Sequence, residues 1–217
     1  MDAVPISVAL QRCDKMSELV LRGPSVSPRG LMPLLREAPE SPHAPNLRKH
    51  DVIIAAVFNG AFHMIKRSHS DTLEPGKMNN ISGHREPREP YPETLEREAL
   101  EEAGINLAGM HVIPENALKA IGTGTPFIAE LGIVSEKMGI RRLKKGVEST
   151  EPSLVTGMHY LLYLPGLDPS SLQLSREHTS IQAFTLTEIL ANGGAITTFD
   201  MRYYELHAGL FRSIGIS

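Results

Sequence analysis

Cysteine is almost missing from the sequence: Cys13 is the single one, so no internal disulfide can form. That composition suits a reducing compartment, and we expect a cytoplasmic protein. Positive charge is not in excess either, because 25 Asp and Glu residues outnumber 22 Lys and Arg residues, giving a net charge of −3. The sequence therefore lacks the basic field that bulk binding of nucleic acid requires.

Long apolar runs are also missing. No stretch reaches the length of a membrane span, and the first twenty residues carry Asp2, Asp14 and Glu18 instead of a basic segment followed by an apolar one. We therefore expect neither a membrane partner nor secretion. The remaining composition is that of a globular protein, with 41% apolar and 22% charged residues over a length of 217, enough for one sizeable core.

The distribution of proline divides the chain. Six prolines fall between residues 24 and 45, which is too frequent for a regular helix or strand. We predict a Pro-rich N-terminal extension over residues 1–47, with a strand at 4–10 and a helix at 15–22, and a compact domain over 48–217. The extension is either a dimer arm, which would make the protein a homodimer, or a lid, or a poorly ordered segment.

The compact domain alternates strand-like and helix-like segments. Residues 52–58 and 61–67 flank Asn59-Gly60, the strongest short signal for a β-hairpin. Residues 135–157 are polar and predict a long loop. Apolar residues at helical spacing in 199–211 predict a helix whose stripe of Tyr203, Leu206, Leu210 and Phe211 is core. The other predicted strands are 110–113, 118–121, 127–134, 159–164 and 181–186, a short helix follows at 187–192, and residues 122–125 form a turn.

The stretch 83–105, GHREPREPYPETLEREALEEAGI, carries the strongest functional signal. Proline near the start and glycine after the end predict a helix from Pro92 to Ala103. Advancing about 100° per residue, that helix places Leu95, Ala99, Leu100 and Ala103 on a core face and places three carboxylates, Glu98, Glu101 and Glu102, on the opposite face. Like charges at this spacing repel, and a divalent cation such as Mg²⁺, which prefers carboxylate oxygens, would relieve that repulsion. The alternative is a solvated acidic helix.

The same stretch resembles the Nudix box, G-x5-E-x7-R-E-U-x-E-E-x-G-U with U apolar, and no fixed position departs from it. The resemblance implies an α/β fold, an α/β/α sandwich with a mixed β-sheet between the box helix and the C-terminal helix. It implies hydrolysis of a nucleoside diphosphate linked to another moiety, X, with Mg²⁺ or Mn²⁺ as cofactor. Glu98, Glu101 and Glu102 would then bind the metal, Arg97 would orient these acids, and Glu89 would brace the loop or reach a second metal.

Residues outside the box complete the expected site. Members of the Nudix family commonly recruit one further acid as a base or metal ligand. We expect this acid to be Glu148 or Glu151, and Glu130 if neither of them is. The alternative for each is an acid on a solvated loop that has no role in the site. Lys66 and Arg67 close a predicted strand at the point where a basic residue faces the diphosphate in Nudix enzymes, and a charged strand end is the alternative. His84 is expected either to contact substrate or to brace the loop.

Two other classes stay open. One is a Nudix-fold binding or scaffold protein without catalysis, although all the box carboxylates are present. The other is a prenyl diphosphate isomerase, which the segment before the box resembles, although Ser82 stands where its catalytic cysteine would be. The identity of X is also open: the sequence has no Trp and no SQPWPFPxS motif, only a fragment of the CoA-pyrophosphatase signature, and Ala120 where ADP-ribose enzymes often carry proline.

Overall fold

The structure, a computed structural model, describes residues 47–144 and 146–217, and the predictions made for residues 1–46 lie outside that range. The strands are β1 (Arg48–Phe58), β2 (Phe62–Arg67), β3 (Met78–Asn79), β4 (Ile81–His84), β5 (His111–Pro114), β6 (Phe127–Lys144), β7 (Val147–Tyr163) and β8 (His178–Phe184). The helices are α1 (Tyr91–Ala103), α2 (Leu186–Ala191) and α3 (Thr198–Ser213). Short 3-10 helices cover Glu115–Ala120, Pro169–Ser171 and Gly193–Ala195.

The eight strands form one mixed sheet in the order β3-β2-β1-β7-β6-β5, with β4 paired to β1 and β8 paired to β2. Strand β1 runs parallel to β7 and antiparallel to β2 and β4, so it lies at the centre of the sheet. Its apolar, β-branched run explains that position, because a strand covered on both faces needs apolar residues on both. The predicted hairpin at Asn59-Gly60 is confirmed by the pairing of Phe58 with Phe62.

Each face of the sheet carries its own core, and β1 contributes alternate residues to the two. Ile53, Ala55 and Val57 pack on the face covered by α1, whereas Val52, Ile54 and Ala56 pack on the face covered by α3. This alternation follows from the two-residue period of a strand. The predicted α/β/α sandwich with a mixed sheet is confirmed.

Two secondary-structure predictions are wrong. Residues 118–121 were expected to form a strand, but Glu115–Ala120 is a 3-10 helix; a short apolar run cannot be assigned by periodicity alone. Residues 135–157 were expected to form a loop, but they belong to β6 and β7, which form a long hairpin turning at Gly146 (φ 78°). Burial alternates between residues 153 and 159 of β7, as expected for a strand, and the first four residues of β7, next to the turn, are exposed.

Two apolar positions were also misplaced. Leu100, expected in the core, is 58% exposed, because it is rotated by about 140° from the buried Leu95 around the helix axis. Leu206 is 40% exposed, and Tyr204 and His207 are buried on α3 instead, beside Tyr203 and Phe211. None of the helices in the described part of the chain is long and apolar enough to cross a membrane.

Candidate active site

Helix α1 begins and ends where its sequence predicts. Pro90 precedes the helix and Pro92 occupies its first turn. Proline is tolerated there because the N–H groups of the first turn have no partner within the helix, so the missing N–H costs no hydrogen bond. At the other end Gly104 adopts a left-handed conformation (φ 68°), and its N–H donates to the Leu100 carbonyl at 3.0 Å. These ends fix the position of the acidic residues between them.

The three box carboxylates do not share one solvated face, contrary to the prediction. The Glu101 side chain is 61% exposed, whereas those of Glu98 and Glu102 are only 12% and 11% exposed. Glu102 follows Leu95 by seven residues and is therefore rotated by only about 20° from it, which turns Glu102 towards the sheet. Glu102 is thus buried, Glu98 is partly buried with its side chain largely shielded from solvent, and Glu101 stays at the surface.

Arg97 binds the acids of the box together. Its Nε and one terminal nitrogen donate to the two oxygens of Glu89 at 3.0 and 3.1 Å, and the other terminal nitrogen donates to Glu98 at 2.6 Å. The same guanidinium donates to the His84 carbonyl at 3.0 Å and lies 3.6 Å from Glu101. A planar fork that meets several acceptors in this way restricts the positions of all of them.

The backbone of β4 approaches the two buried carboxylates closely. The Ser82 N–H donates to Glu102 at 3.0 Å. Gly83 packs against Glu98 so tightly that a Cβ on residue 83 would lie 1.9 Å from the Glu98 carboxyl carbon. The first glycine of the box is therefore needed for space, since its φ is not in the left-handed region.

The ionisation of these acids differs according to their surroundings. Hydrogen bonds from Arg97 lower the pKa of Glu89 to about 2. Burial raises the pKa of Glu98, even though Arg97 opposes that shift, and burial raises the pKa of Glu102 well above its usual range. Two acids whose charged forms are disfavoured by burial, adjacent to an accessible cleft, have the environment expected of functional acids.

A cleft of about 550 Å³ opens beside Glu98 and Glu102. Four arginines from different parts of the chain line it: Arg67, Arg85, Arg97 and Arg142. Each guanidinium is also ion-paired with a carboxylate, so the cleft combines acids with positive charge that is already partly balanced: Arg67 with Asp71, Arg85 with Asp51, Arg97 with Glu89 and Glu98, and Arg142 with Glu151. Such a combination suits an anionic ligand that carries a cation with it.

The basic residues predicted to bind substrate are only partly brought together. Arg67 lines the cleft and forms an ion pair with Asp71, and His84 also lines the cleft. Nδ1 of His50 lies 2.8 Å from Nε2 of His84, a neighbour that the sequence did not suggest. Lys66 lies on β2 but is not among the residues that line the cleft.

The acids predicted outside the box do not line the cleft. Glu148 is paired with Arg141 at the far end of the hairpin, and Glu151 lies 2.9 Å from Arg142. Glu130 pairs in register with Tyr160 in the sheet. Their proposed role as a general base stays a prediction.

Two buried acids that the sequence did not single out line the cleft instead, Glu74 and Asp200. Glu74 accepts hydrogen bonds from the N–H and the hydroxyl of Thr198 at 2.9 and 2.8 Å, where α3 begins. Asp200 is bonded to the Thr197 hydroxyl, and burial raises the pKa of Asp200 to about 7. The spacing of Thr197 and Asp200 is a helix-start signal, which was available in the sequence.

The donor chemistry fits a hard divalent cation, although no ready-made ligand set is present. Within residues 47–144 and 146–217, no three His, Cys, Asp or Glu side chains converge as metal ligands. Glu98 and Glu102 nevertheless supply carboxylate oxygens beside the cleft, and burial raises the pKa of both because it disfavours their charged forms. A cation bound there would stabilise those charged forms.

Comparisons with known proteins identify the fold. No protein-family model matches the sequence, and no curated protein matches it. Among solved structures, the MutT protein from Methanosarcina mazei Go1 matches with a TM-score of 0.53 and 19% identity, over 79% of this chain and 99% of that chain. The NUDIX domain of Shewanella oneidensis NrtR, complexed with ADP ribose, matches with a TM-score of 0.50 and 12% identity, over 78% and 92%. The fold is the Nudix fold.

A third solved structure is also similar: DR0079 from Deinococcus radiodurans matches with a TM-score of 0.51 and 18% identity, over 76% of this chain and 88% of that chain. The sequence motif and the structural match both indicate the Nudix fold. At these identities the structural match concerns the fold, so activity is argued from the site itself.

Proposed function

We propose that the chain is a metal-dependent hydrolase that cleaves a diphosphate bond in a nucleoside diphosphate linked to another moiety. The observation that carries this proposal is the pair of desolvated carboxylates, Glu98 and Glu102, beside a cleft lined by four arginines. The NUDIX domain of NrtR, which has the same fold, is complexed with ADP ribose, a molecule of this class.

Each box residue has a role consistent with its contacts. Glu98 and Glu102, together with the exposed Glu101, would hold Mg²⁺ or Mn²⁺, which neutralises phosphate charge and lowers the pKa of bound water. Arg97 fixes the Glu98 carboxylate at 2.6 Å and is itself held by Glu89, so it positions the acids. Arg67 and His84 line the cleft and would contact the diphosphate.

The decisive experiment measures phosphate or nucleoside monophosphate release by purified full-length protein. A panel of nucleoside diphosphate sugars, dinucleotides, nucleoside triphosphates and CoA would be tested with and without millimolar Mg²⁺ or Mn²⁺. We expect turnover of at least one substrate, only with metal, and a loss of turnover in Glu102→Gln. Tight nucleotide binding without any turnover would favour the non-catalytic binding protein. A cytoplasmic location and a homodimer stay predictions, open to cell fractionation and analytical ultracentrifugation.

A further inference from the structure

Helix α1 ends against a segment of the chain that lies outside the box. This segment, residues 173–178, leads into β8. The Gln173 N–H donates to the Ala103 carbonyl and the Ser175 N–H donates to the Glu102 carbonyl, both at 3.1 Å. The last carbonyls of a helix have no partner within that helix, so the segment supplies two of the missing donors. It thereby fixes the backbone of Glu102.

The same segment brings His178 to the carboxylate of Glu102. The His178 side chain is fully buried, and its Nε2 lies 3.9 Å from Oε1 of Glu102. That nitrogen has no hydrogen-bond partner in the described part of the chain. The other carboxylate oxygen, Oε2, already accepts from the Ser82 N–H at 3.0 Å. Glu102 thus has one oxygen held by β4 and the other facing an unpaired buried nitrogen on β8.

The surroundings of His178 favour a proton on the nitrogen that faces Glu102. Burial lowers the pKa of His178 to about 4, so the ring is neutral at neutral pH and holds one N–H. Nδ1 lies 3.0 Å from the Ser175 hydroxyl oxygen, which also accepts from the Glu177 N–H at 3.3 Å. That hydroxyl still has its own proton to donate to Nδ1. The imidazole proton is then on Nε2, directed at Glu102.

Ionisation of Glu102 would draw the two groups together. The 3.9 Å between Nε2 and Oε1 is too long for a hydrogen bond, but contacts between functional groups are often long before a ligand binds. A carboxylate must be ionised to bind a metal ion, and a hydrogen bond to an ionised acceptor is shorter and stronger than one to a neutral acceptor. Metal binding therefore favours the closed contact.

We propose that His178 is a positioning residue for Glu102, and that its Nε2–H holds the carboxylate in the orientation that binds the divalent cation. The carboxylate is then fixed from two strands, by Ser82 on β4 and by His178 on β8. His178 does not line the cleft, so it acts through Glu102 and does not touch substrate. The inference rests on the metal-binding part of the proposed function and adds a residue outside the box.

The test is a pair of substitutions that carry the same amide group at two positions. Gln at residue 178 places its amide nitrogen near the position of Nε2, whereas Asn places it near that of Nδ1. Mn²⁺ is titrated calorimetrically into full-length protein at neutral pH without substrate. We expect His178→Asn to weaken Mn²⁺ binding by ~10-fold or more, the effect of losing a group that orients a metal ligand, and His178→Gln to stay within ~3-fold of the parent.

A second variant leaves the imidazole in place. Ser175→Ala removes the hydroxyl at Nδ1, so the proton is no longer directed to Nε2. It should weaken Mn²⁺ binding by ~3-fold or more, less than His178→Asn does. If His178→Asn does not fold, Ser175→Ala decides the question alone.

His63→Asn is the control for a purely structural loss. His63 is also buried, lies on the neighbouring strand β2, and has one ring nitrogen without a partner among the described residues. Its substitution should leave the Mn²⁺ affinity unchanged, whatever its effect on the melting temperature. Equal losses of affinity in His178→Asn and His63→Asn would overturn the proposal. So would equal losses in His178→Asn and His178→Gln, or a parent protein that binds no Mn²⁺ at millimolar concentration.

The two proposals fail differently. If His178→Asn weakens Mn²⁺ binding but no substrate of the panel is cleaved with any metal, the proposed function is wrong and the role of His178 stands. If substrate is cleaved only with metal and His178→Asn binds Mn²⁺ as the parent does, the proposed function stands and the role of His178 is wrong.

Discussion

Glu102 is placed as a functional acid rather than as a surface charge. Its carboxylate is buried, its pKa is raised well above the usual range by that burial, and the Ser82 N–H holds one of its oxygens. We expect Glu102→Gln, which keeps the shape and removes the charge, to lower kcat by about 10²- to 10⁴-fold, the range for losing electrostatic stabilisation. Steady-state kinetics with the best substrate of the panel measures this.

The same substitution should leave the protein folded, with an equal or higher melting temperature at neutral pH, because an ionised carboxylate is costly at a buried position. Glu101→Gln is the control, since Glu101 is 61% exposed. We expect a smaller kinetic loss there. Parent-like turnover in Glu102→Gln would remove Glu102 from the site.

Gly83 is required by the closeness of Glu98. The Cβ of an alanine would lie 1.9 Å from the Glu98 carboxyl carbon, so either the side chain or β4 must move. We expect Gly83→Ala to destabilise the protein by about 1–3 kcal/mol, the usual cost of overpacking, and to lower activity by displacing Glu98. Denaturant unfolding and kinetics test both.

The control for that variant is Gly166→Ala. No atom lies within 4 Å of the position its Cβ would take, and its φ is not left-handed. It should retain the stability and activity of the parent. If Gly83→Ala had the same stability and activity as Gly166→Ala, the close packing of β4 against Glu98 would be unimportant for both.

Residues inside the box could be predicted because their spacing is fixed along a single helix and its preceding strand. Arg97 and Glu98 are found in contact, as the box resemblance implies. Asp200 could have been recognised from the sequence as part of a helix start, but the packing of α3 on the sheet, which brings it and Glu74 to the cleft, is contained in no local pattern. Phe199, which also lines the cleft, was missed for the same reason: helical periodicity assigns it no special position.

At the scale of elements, the β6–β7 hairpin shows how composition can mislead. Its distal half is polar, but the ladder between the two strands continues to Lys144 and Val147. It brings Ile140 and Arg142 to the cleft, so it contributes to the site through its sheet geometry.

Helix α1 was predicted nearly residue by residue, because proline and glycine mark its ends.

Glu151 and Glu148 on this hairpin allow a matched comparison. Glu151 lies 2.9 Å from Arg142, which lines the cleft, whereas Glu148 is paired with Arg141. We expect Glu151→Gln to lower KM by about two- to threefold, because Arg142 gains freedom to meet an anion, with kcat nearly unchanged. Glu148→Gln should leave both constants within about twofold.

The two variants also test the general-base hypothesis. Kinetics under saturating metal separates kcat from KM for each. A fall in kcat of about 100-fold in either variant, with little change in KM, would identify that glutamate as a base. The ion pair between Glu151 and Arg142 favours a role for Glu151 in neutralising the charge of Arg142.

At the scale of the whole molecule, stability depends on how α3 closes the second face of the sheet. Tyr203, Tyr204 and Phe211 are fully buried there, and the Tyr203 hydroxyl donates to the Tyr160 carbonyl on β7 at 2.8 Å. The same helix supplies Phe199 and Asp200 to the cleft. Loosening of α3 would therefore disturb both the core and the cleft.

A buried histidine pair between β7 and α3 makes the packing of α3 on the sheet sensitive to low pH. Nδ1 of His159 lies 2.9 Å from Nε2 of His207, and burial lowers the pKa of His159 to about 3 and that of His207 to about 4. Both are near 6.5 in an unfolded chain. Below pH 6.5 the unfolded state binds more protons than the folded state, so the stabilising contribution is complete above pH 6.5 and is lost as pH falls towards 4.

We expect the free energy of unfolding of His207→Gln, which keeps a hydrogen-bonding group near the position of Nε2, to depend less on pH than that of the parent. Between pH 6.5 and 5 the slope should fall by up to about 1.4 kcal/mol per pH unit, the value for one full proton, which is approached near pH 5. Urea unfolding at each pH measures this slope, and His111→Gln is the control because His111 lies exposed at the start of β5.

The raised pKa values of Glu102 and Asp200 change the stability in the opposite direction. They are common to all three proteins, so their effect cancels when the pH profiles are compared. Parallel pH profiles of the parent and His207→Gln would show that the pair does not couple protonation to the docking of α3.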